Sequence, residues 1–558
     1  STLAYAYDSD GRVRRLETSA GTYIVYGYGR HGELERIGSP LGSIELSYNT
    51  EGQIAPQLAQ VRAGQLATAY SYDALGRLTE LSYTHSRWSR AEAVTLRYAY
   101  DQAGNVASLQ DAQGVTTYSY DVLDQLVGVR YPDGGQVSYA YDAVGNRTRM
   151  AGPSGVVEYT YDAANQLLQA GNTRFSYDAN GHLISAWDGQ RGRAYLWDYQ
   201  GRLRGVSEWK SGALPYPLSL VGAERPIPLA TYEYDLFGHR VAQDAGGQVT
   251  GYLVDREHVV EASDAAGTVT ARAIHGAGWD ELRATDRNDA ASRLFPLADA
   301  MGTVTGAVDG QGQLRYAARY DPWGAPLDRP ADSPLPGFQG RPYDPATGLY
   351  DFRARAYDPT LGRFLSPDPE TDPYAPQTLN GYAFGFNNPL RYRDPTGRVI
   401  PLIVVAAIAG AAFGASYYSS RYLFSTPRDC WTLAGFGKHL LIGAAIGAIA
   451  GAAGASVSFL VGGGALGGAA AGAVAGFTQS IFRQSLLEQR QGIDWTDVAV
   501  STVVGGVAGC MAGSLAAGMG IPPGTSSEAA DIGRYGVSFV ASKLFTGYLG
   551  LVGYAMTH

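Results

Sequence analysis

Between residues 344 and 394, five aspartates stand directly before a proline: Asp344, Asp358, Asp368, Asp372 and Asp394. Proline fixes its own φ and pushes the preceding residue toward an extended conformation, so each Asp-Pro is a rigid corner. For any single aspartate, capping or turning the chain is the simplest role. Two carboxylates held close together can do more. Both cannot ionise cheaply, so one keeps its proton, and the pair can then activate water against a peptide carbonyl. Arg353, Arg355 and Arg363 lie among these acids. They could orient the carboxylates or lower a pKa, or could equally be solvated strand residues.

No other constellation competes. The eight histidines are scattered, and His31, His182 and His239 sit at or beside turns, where surface roles are simpler than ligation. There is no Gly-rich phosphate loop and no clustered Cys/His site, so neither a metal nor a cofactor is expected. Cys430 and Cys510 make no disulfide framework and are expected to be small buried residues.

The elements that must position the acids are written in a repeat. "YAYDSDGRV" at residue 5 returns as "YSYDALGRL" at 70, "YAYDQAGNV" at 98, "YSYDVLDQL" at 118 and "YAYDAVGNR" at 139. It continues as "YTYDAANQL" at 159, "FSYDANGHL" at 175, "YLWDYQGRL" at 195 and "YEYDLFGHR" at 232, most often 20 or 21 residues apart. Tyr-x-Tyr alternates with period two and places both rings on one face of a strand. Asp-x-x-Gly supplies a turn, because Asp can bond its own backbone and Gly accepts positive φ. One hairpin cannot bury its own face, so the copies must stack into a continuous sheet.

The Tyr-Asp-x-x-Gly-Arg/Asn-Leu phrase resembles the YD repeats of the RHS family of bacterial polymorphic toxins and their relatives. The resemblance covers roughly residues 1 to 397. Its most specific part is "PGFQGRPYDPATGLYDFRARAYDPTLGRFLSPDP" followed by "LNGYAFGFNNPLRYRDPTG", which looks like the RHS-associated core. The resemblance implies repeats that spiral into a hollow β-shell around a C-terminal toxin, a core that plugs its end, and self-cleavage at the junction. It selects Asp394, in the final Asp-Pro-x-Gly with Pro395 and Gly397, and an upstream partner. That partner is Asp368 in "GRFLSPDP", with Asp372 as the alternative. The expected cut falls around Arg398–Val399. Family relatives further imply a type VI secretion spike, a chaperone and an immunity protein as partners.

The domain division expected is therefore 1–335 for the YD-repeat shell, 336–398 for the autoproteolytic core and 399–558 for the cargo. The 558 residues carry a formal net charge of -9 and only 17% charged residues, with 73 Gly and 39 Tyr. The negative balance argues against nucleic acid as the main partner. The chain opens inside a repeat and without Met, as expected of a piece of a longer protein.

Residues 399–558 differ in kind, with 7 basic and 6 acidic side chains among long apolar stretches. The segment 399–418 is long enough to span a bilayer. Small residues recur at four-residue spacing, as Gly443, Gly447, Gly451 and as Gly464, Gly468, Gly472, Gly476. On a helix they form one smooth face that lets backbones approach closely in a membrane. The expectation is an α-helical, membrane-active toxin that forms pores in the target cell's inner membrane, with lipid and not nucleic acid as its partner. A soluble enzymatic toxin, or an adhesive surface protein with a hydrophobic anchor, are the alternatives.

Overall fold

The computed structural model describes residues 2–29, 33–49, 57–209, 226–276, 278–330, 333, 335–369 and 380–398. Its contacts divide the chain into two units. The first comprises Ser1–Asn49, Leu58–Ser71 and Leu78–Arg398, and the fold below is that of this unit. The second comprises Thr50–Gln57, Tyr72–Arg77 and Val399–His558. The glycines from Gly443 to Gly476, both cysteines, His31, Asp372 and Val399 lie outside the described residues. Among the described residues, no helix is long and apolar enough to cross a membrane.

The chain is mainly β, with 29 strands in one antiparallel sheet and a separate four-stranded sheet at Tyr343–Phe364. Successive hairpins are joined by the repeated turn. In its clearest form, Asp121 Oδ1 accepts the N–H groups of Leu123 and Gln125, both at 2.9 Å, while Oδ2 accepts from the Gln125 amide at 2.8 Å. Asp142 does the same for Val144 and Asn146, and Gly145 closes that turn at φ 79°. Two repeats lack the glycine, and their substitutes are informative. Asp124 and Asn165 take φ of 61° and 62°, and their side chains accept from Asn105 and Asn146 of the preceding turns, each at 2.8 Å. Asn and Asp tolerate this conformation better than other L residues, and the lateral hydrogen bond offsets its cost.

In most of the described repeats the second aromatic has a role beyond its strand face. The ladder shifts register at that residue, as at Ser119/Tyr120 and Ala140/Tyr141. From there its polar tip reaches back to the residue after the preceding turn. Tyr120 donates to the Val106 carbonyl, Tyr141 to Leu126, Tyr161 to Arg147 and Trp197 to Leu183, at 2.7–2.8 Å. A buried phenol needs such a partner, and here the partner belongs to the neighbouring hairpin.

The ribbon also returns on itself. Leu16, Ile24, Ile37 and Leu81 share one buried cluster with Val260, Ile274, Phe295 and Val308. Tyr83 donates to the Ala298 carbonyl at 2.8 Å, and Thr18 donates to Glu261 at 2.7 Å. At the far end, the turn Asp321-Pro322-Trp323-Gly324 is buried. Tyr357 and Tyr350 donate to its Trp323 and Gly324 carbonyls at 2.8 and 2.9 Å, and a Cβ on Gly324 would lie 2.4 Å from Phe338. The ribbon thus ends on a packed aromatic block of Phe338, Tyr350, Phe352, Tyr357, Phe364 and Phe384.

Two turn carboxyls are held in an unusual state: burial pushes Asp299 and Asp321 up from 3.8 to about 6. Because the folded state favours the protonated form, their contribution is full below pH 3.8 and is lost as pH rises through about 6. The Asp299→Asn, Asp321→Asn double variant should therefore lose less stability than wild type between pH 4 and 6, read as the shift of the urea midpoint across that range.

Candidate active site

The four-stranded sheet explains how the acids come together. Strand Leu349–Phe352 turns through Arg353 and Ala354 into strand Arg355–Asp358, which pairs with Arg363–Phe364. Arg353 occupies the tight turn at φ 63°. The next four residues of interest arrive from the C-terminal side, as the Asp394-Pro395-Thr396-Gly397 turn.

That turn is received by three consecutive residues. The Arg353 guanidinium donates to the Pro395 carbonyl, the Ala354 N–H to Thr396 at 3.3 Å and Arg355 Nε to Gly397 at 2.6 Å. Gly397 sits at φ 68°, and a Cβ there would fall 2.0 Å from the Phe352 carbonyl, so no other residue fits. Arg355 is 3% exposed and lies over the Phe364 ring at 3.6 Å. Its Nη2 approaches Asp368 Oδ2 at 2.8 Å and Asp394 Oδ2 at 2.9 Å, while Nη1 donates to the Gly381 carbonyl at 2.9 Å. Asp368 and Asp394 are each 7% exposed. Their oxygens therefore sit within about two hydrogen-bond lengths of each other, bridged by one nitrogen. The other Asp394 oxygen accepts the Arg398 N–H at 3.0 Å, and Thr396 Oγ1 donates to the Arg398 carbonyl at 3.1 Å.

This arrangement is chemically loaded. With both carboxylates ionised, the trio carries one net negative charge; a single proton neutralises it. That proton is available to a leaving amine, while the second carboxylate can take one from water. Thr396 Oγ1 on the Arg398 carbonyl supplies the kind of oriented dipole that stabilises a developing oxyanion.

The remaining sequence candidates fall elsewhere. Arg363 donates to the Asn165 carbonyl at 2.7 Å and lies between the Tyr161 and Tyr382 rings, away from the paired carboxylates. Asp358 caps its own turn through Thr360 and Leu361, and Asp344 accepts from Tyr232 and the Ala346 N–H. His182 and His239 each bond the aspartate that opens their own turn, Asp178 and Asp235, at 2.9 Å.

Sequence reasoning missed the residues that seat the core on the repeats. Asn380 donates to Asn146 at 2.7 Å, Asn387 to Gln125 at 2.9 Å and Asn388 to Asn105 at 2.9 Å. Arg391 adds bonds to the Ala103 carbonyl and to Asn105. The available signal was the Asn or Gln four residues after the turn aspartate, facing Asn380 and the "NNP" of the core.

The Teneurin YD-shell family model matches residues 38–203 and 279–390, the stretches that hold most of the repeated turns and the core. The chain belongs to the RHS/YD-repeat family. The tRNA3(Ser)-specific nuclease WapA of Bacillus spizizenii is 32% identical over 251 residues, which cover 44% of this chain and 10% of that protein. The probable deoxyribonuclease RhsB of Dickeya dadantii is 27% identical over 451 residues, covering 78% of this chain and 28% of the relative. This chain thus spans about a tenth and about a quarter of their lengths. The Photorhabdus luminescens Tc holotoxin pore matches with a TM-score of 0.57 at 20% identity, over 71% of this chain and 21% of that one, and shares the fold of the YD-repeat sheet.

These relatives correct one expectation. A lipid partner with nucleic acid excluded was argued from net charge and from the apolar C-terminal stretches. Relatives named as a tRNA nuclease and a deoxyribonuclease overturn that exclusion. The physical reason is that a whole-chain charge of -9 averages over parts with separate tasks and does not describe any one binding surface.

Removing the guanidinium alone strands two buried carboxylates. Arg355→Met should destabilise the first unit by about 3–5 kcal/mol in chemical denaturation. Adding Asp368→Asn and Asp394→Asn to the same chain should recover part of the loss.

Proposed function

We propose that the chain is an RHS-type effector in which residues 336–398 cut the polypeptide at the junction and release residues 399–558 as a toxin. Residues 1–335 form the YD-repeat shell in this division. One observation carries the proposal: Asp368, Asp394 and the Gly397 carbonyl all converge on the Arg355 guanidinium. In the reaction, one carboxylate takes a proton from water as its oxygen attacks the peptide carbonyl. The oxygen–carbon bond forms, the carbon–nitrogen bond breaks, and the protonated partner gives its proton to the departing amine. The products are a new carboxylate on the shell and a new amine on the cargo. Arg398–Val399 is the proposed bond, because Thr396 Oγ1 donates to the Arg398 carbonyl while the Arg398 N–H is fixed on Asp394.

For the cargo, an enzyme acting on nucleic acid is the favoured activity, supported by the printed names of the relatives. Release from the producing cell belongs to the same proposal, since a toxin must reach another cell.

Wild type made by cell-free synthesis at neutral pH, where Asp-Pro bonds are chemically stable, should resolve into two chains on a denaturing gel. N-terminal sequencing should find Val399 at the start of the smaller one. Asp394→Asn and Asp368→Asn should each leave one intact chain; a single wild-type chain would sink self-cleavage. For the cargo, residues 399–558 released from the wild-type protein should degrade total RNA or plasmid DNA, seen on gels. Intact nucleic acid in target cells killed by the toxin would overturn the nuclease assignment.

A further inference from the structure

The junction turn is held from a second side by a buried ion cluster that draws on the repeat sheet. Asp280 is 7% exposed and accepts from Arg341 Nη1 at 2.9 and 3.0 Å. It also accepts from Arg353 Nη2 at 2.6 Å and Nη1 at 3.2 Å. The same Arg353 Nη1 donates to the Pro395 carbonyl, and Nη2 donates to the Glu257 carbonyl at 2.6 Å. One guanidinium thus ties the loop after strand Gln248–Asp255, the Asp280 corner and the cleavage turn together.

Both ends of this link are conformationally unusual. Asp280 lies at φ 54° and Arg353 at φ 63°, a region that disfavours L side chains. Such strain persists only where surrounding contacts over-determine it. Those contacts are present. A Cβ on Gly340 would lie 2.4 Å from the Asp280 carbonyl, His258 Nε2 accepts the Asp280 N–H at 3.1 Å, and Arg353 lies over Trp279.

Position in the turn gives the cluster its meaning. Pro395 follows Asp394 and lies two residues before Gly397, so fixing its carbonyl limits how far the carboxylate and the Gly397 carbonyl can move relative to Arg355. We infer that Asp280 is a positioning residue for the cut: acting through Arg353, it holds the Pro395 carbonyl and makes cleavage depend on docking of the Glu257–Asp280 part of the repeat sheet. Arg341 neutralises the same carboxylate but has no bond to the turn among its hydrogen bonds to Asp280 and the Asp351 carbonyl. It is therefore the natural control. This inference rests on Asp394 being part of the cutting pair.

The test follows cleavage of the full chain during cell-free synthesis, as a rate and as a pH profile. Asp280→Asn and Arg353→Lys should each slow cleavage by about tenfold or more, since a misplacement near 1 Å can cost about a hundredfold. Both should change the pH profile, because the turn that carries Asp394 is then no longer tied to Asp280 through Arg353. Arg341→Lys should lower the melting temperature while leaving the profile unshifted. Arg353→Lys keeps the charge beside Asp280, so it reports on the turn even if Asp280→Asn fails to fold. If Asp394→Asn abolishes cleavage while both Asp280→Asn and Arg353→Lys cut at the wild-type rate with an unshifted profile, the coupling is wrong and the acidic pair stands. If Asp394→Asn itself still cuts, the pair is wrong and the coupling falls with it.

Discussion

The geometry of the junction depends on how one guanidinium distributes its donors. Arg355 has five N–H bonds in a rigid fork and no way to lose its charge. Its three nitrogens serve two carboxylates and two backbone carbonyls, at Asp368, Gly381, Asp394 and Gly397. A lysine could neutralise the acids but could not index Gly381, Gly397, Asp368 and Asp394 at once. Since the group is almost wholly buried against Phe364, any rotation would leave charges without partners, which is costly in an apolar surround. The aromatic block beneath it thus fixes the geometry of the cluster: it denies the guanidinium any other place to go.

The repeat was legible because its signals are local. Asp-x-x-Gly carries its own hydrogen-bond acceptor and its own left-handed residue, so the turn can be read from four letters. The pairing of hairpins followed from the 20-residue period. The reach of Tyr141 to the Leu126 carbonyl was not legible, although both residues are ordinary members of the repeat, because a register shift re-aims the ring. Asp124 and Asn165 stand where the other copies have glycine, and in the fold each exchanges that glycine for a lateral bond to the turn before it.

At the candidate site, the residues close in sequence to the junction could be named, and those brought by the sheet could not. Asp394 stood out by its Pro-x-Gly context, and the choice of Asp368 came from resemblance. Asp280 had no motif around it, and Arg341, although inside the quoted core block, gave no sign of its partner. Their meeting joins the repeat sheet to the core across 61 residues, a relation that no short window contains. Arg363 shows the opposite error: proximity in sequence suggested a place beside the acids, yet its strand neighbour Phe364 faces Arg355 while Arg363 faces Tyr161 and Tyr382.

The asparagines at 380, 387 and 388 give the core a property of a gauge. They engage Asn146, Gln125 and Asn105, residues that occupy the same place in repeats one period apart. Running backward along the ribbon as the core runs forward, they count repeats as teeth count a rack. A YD-repeat chain can lengthen or shorten by whole hairpins elsewhere, because each unit carries its own turn and its own stitch. Between residues 105 and 146 it has no such freedom: one hairpin added or lost there would leave the three asparagines unable to engage their three teeth together.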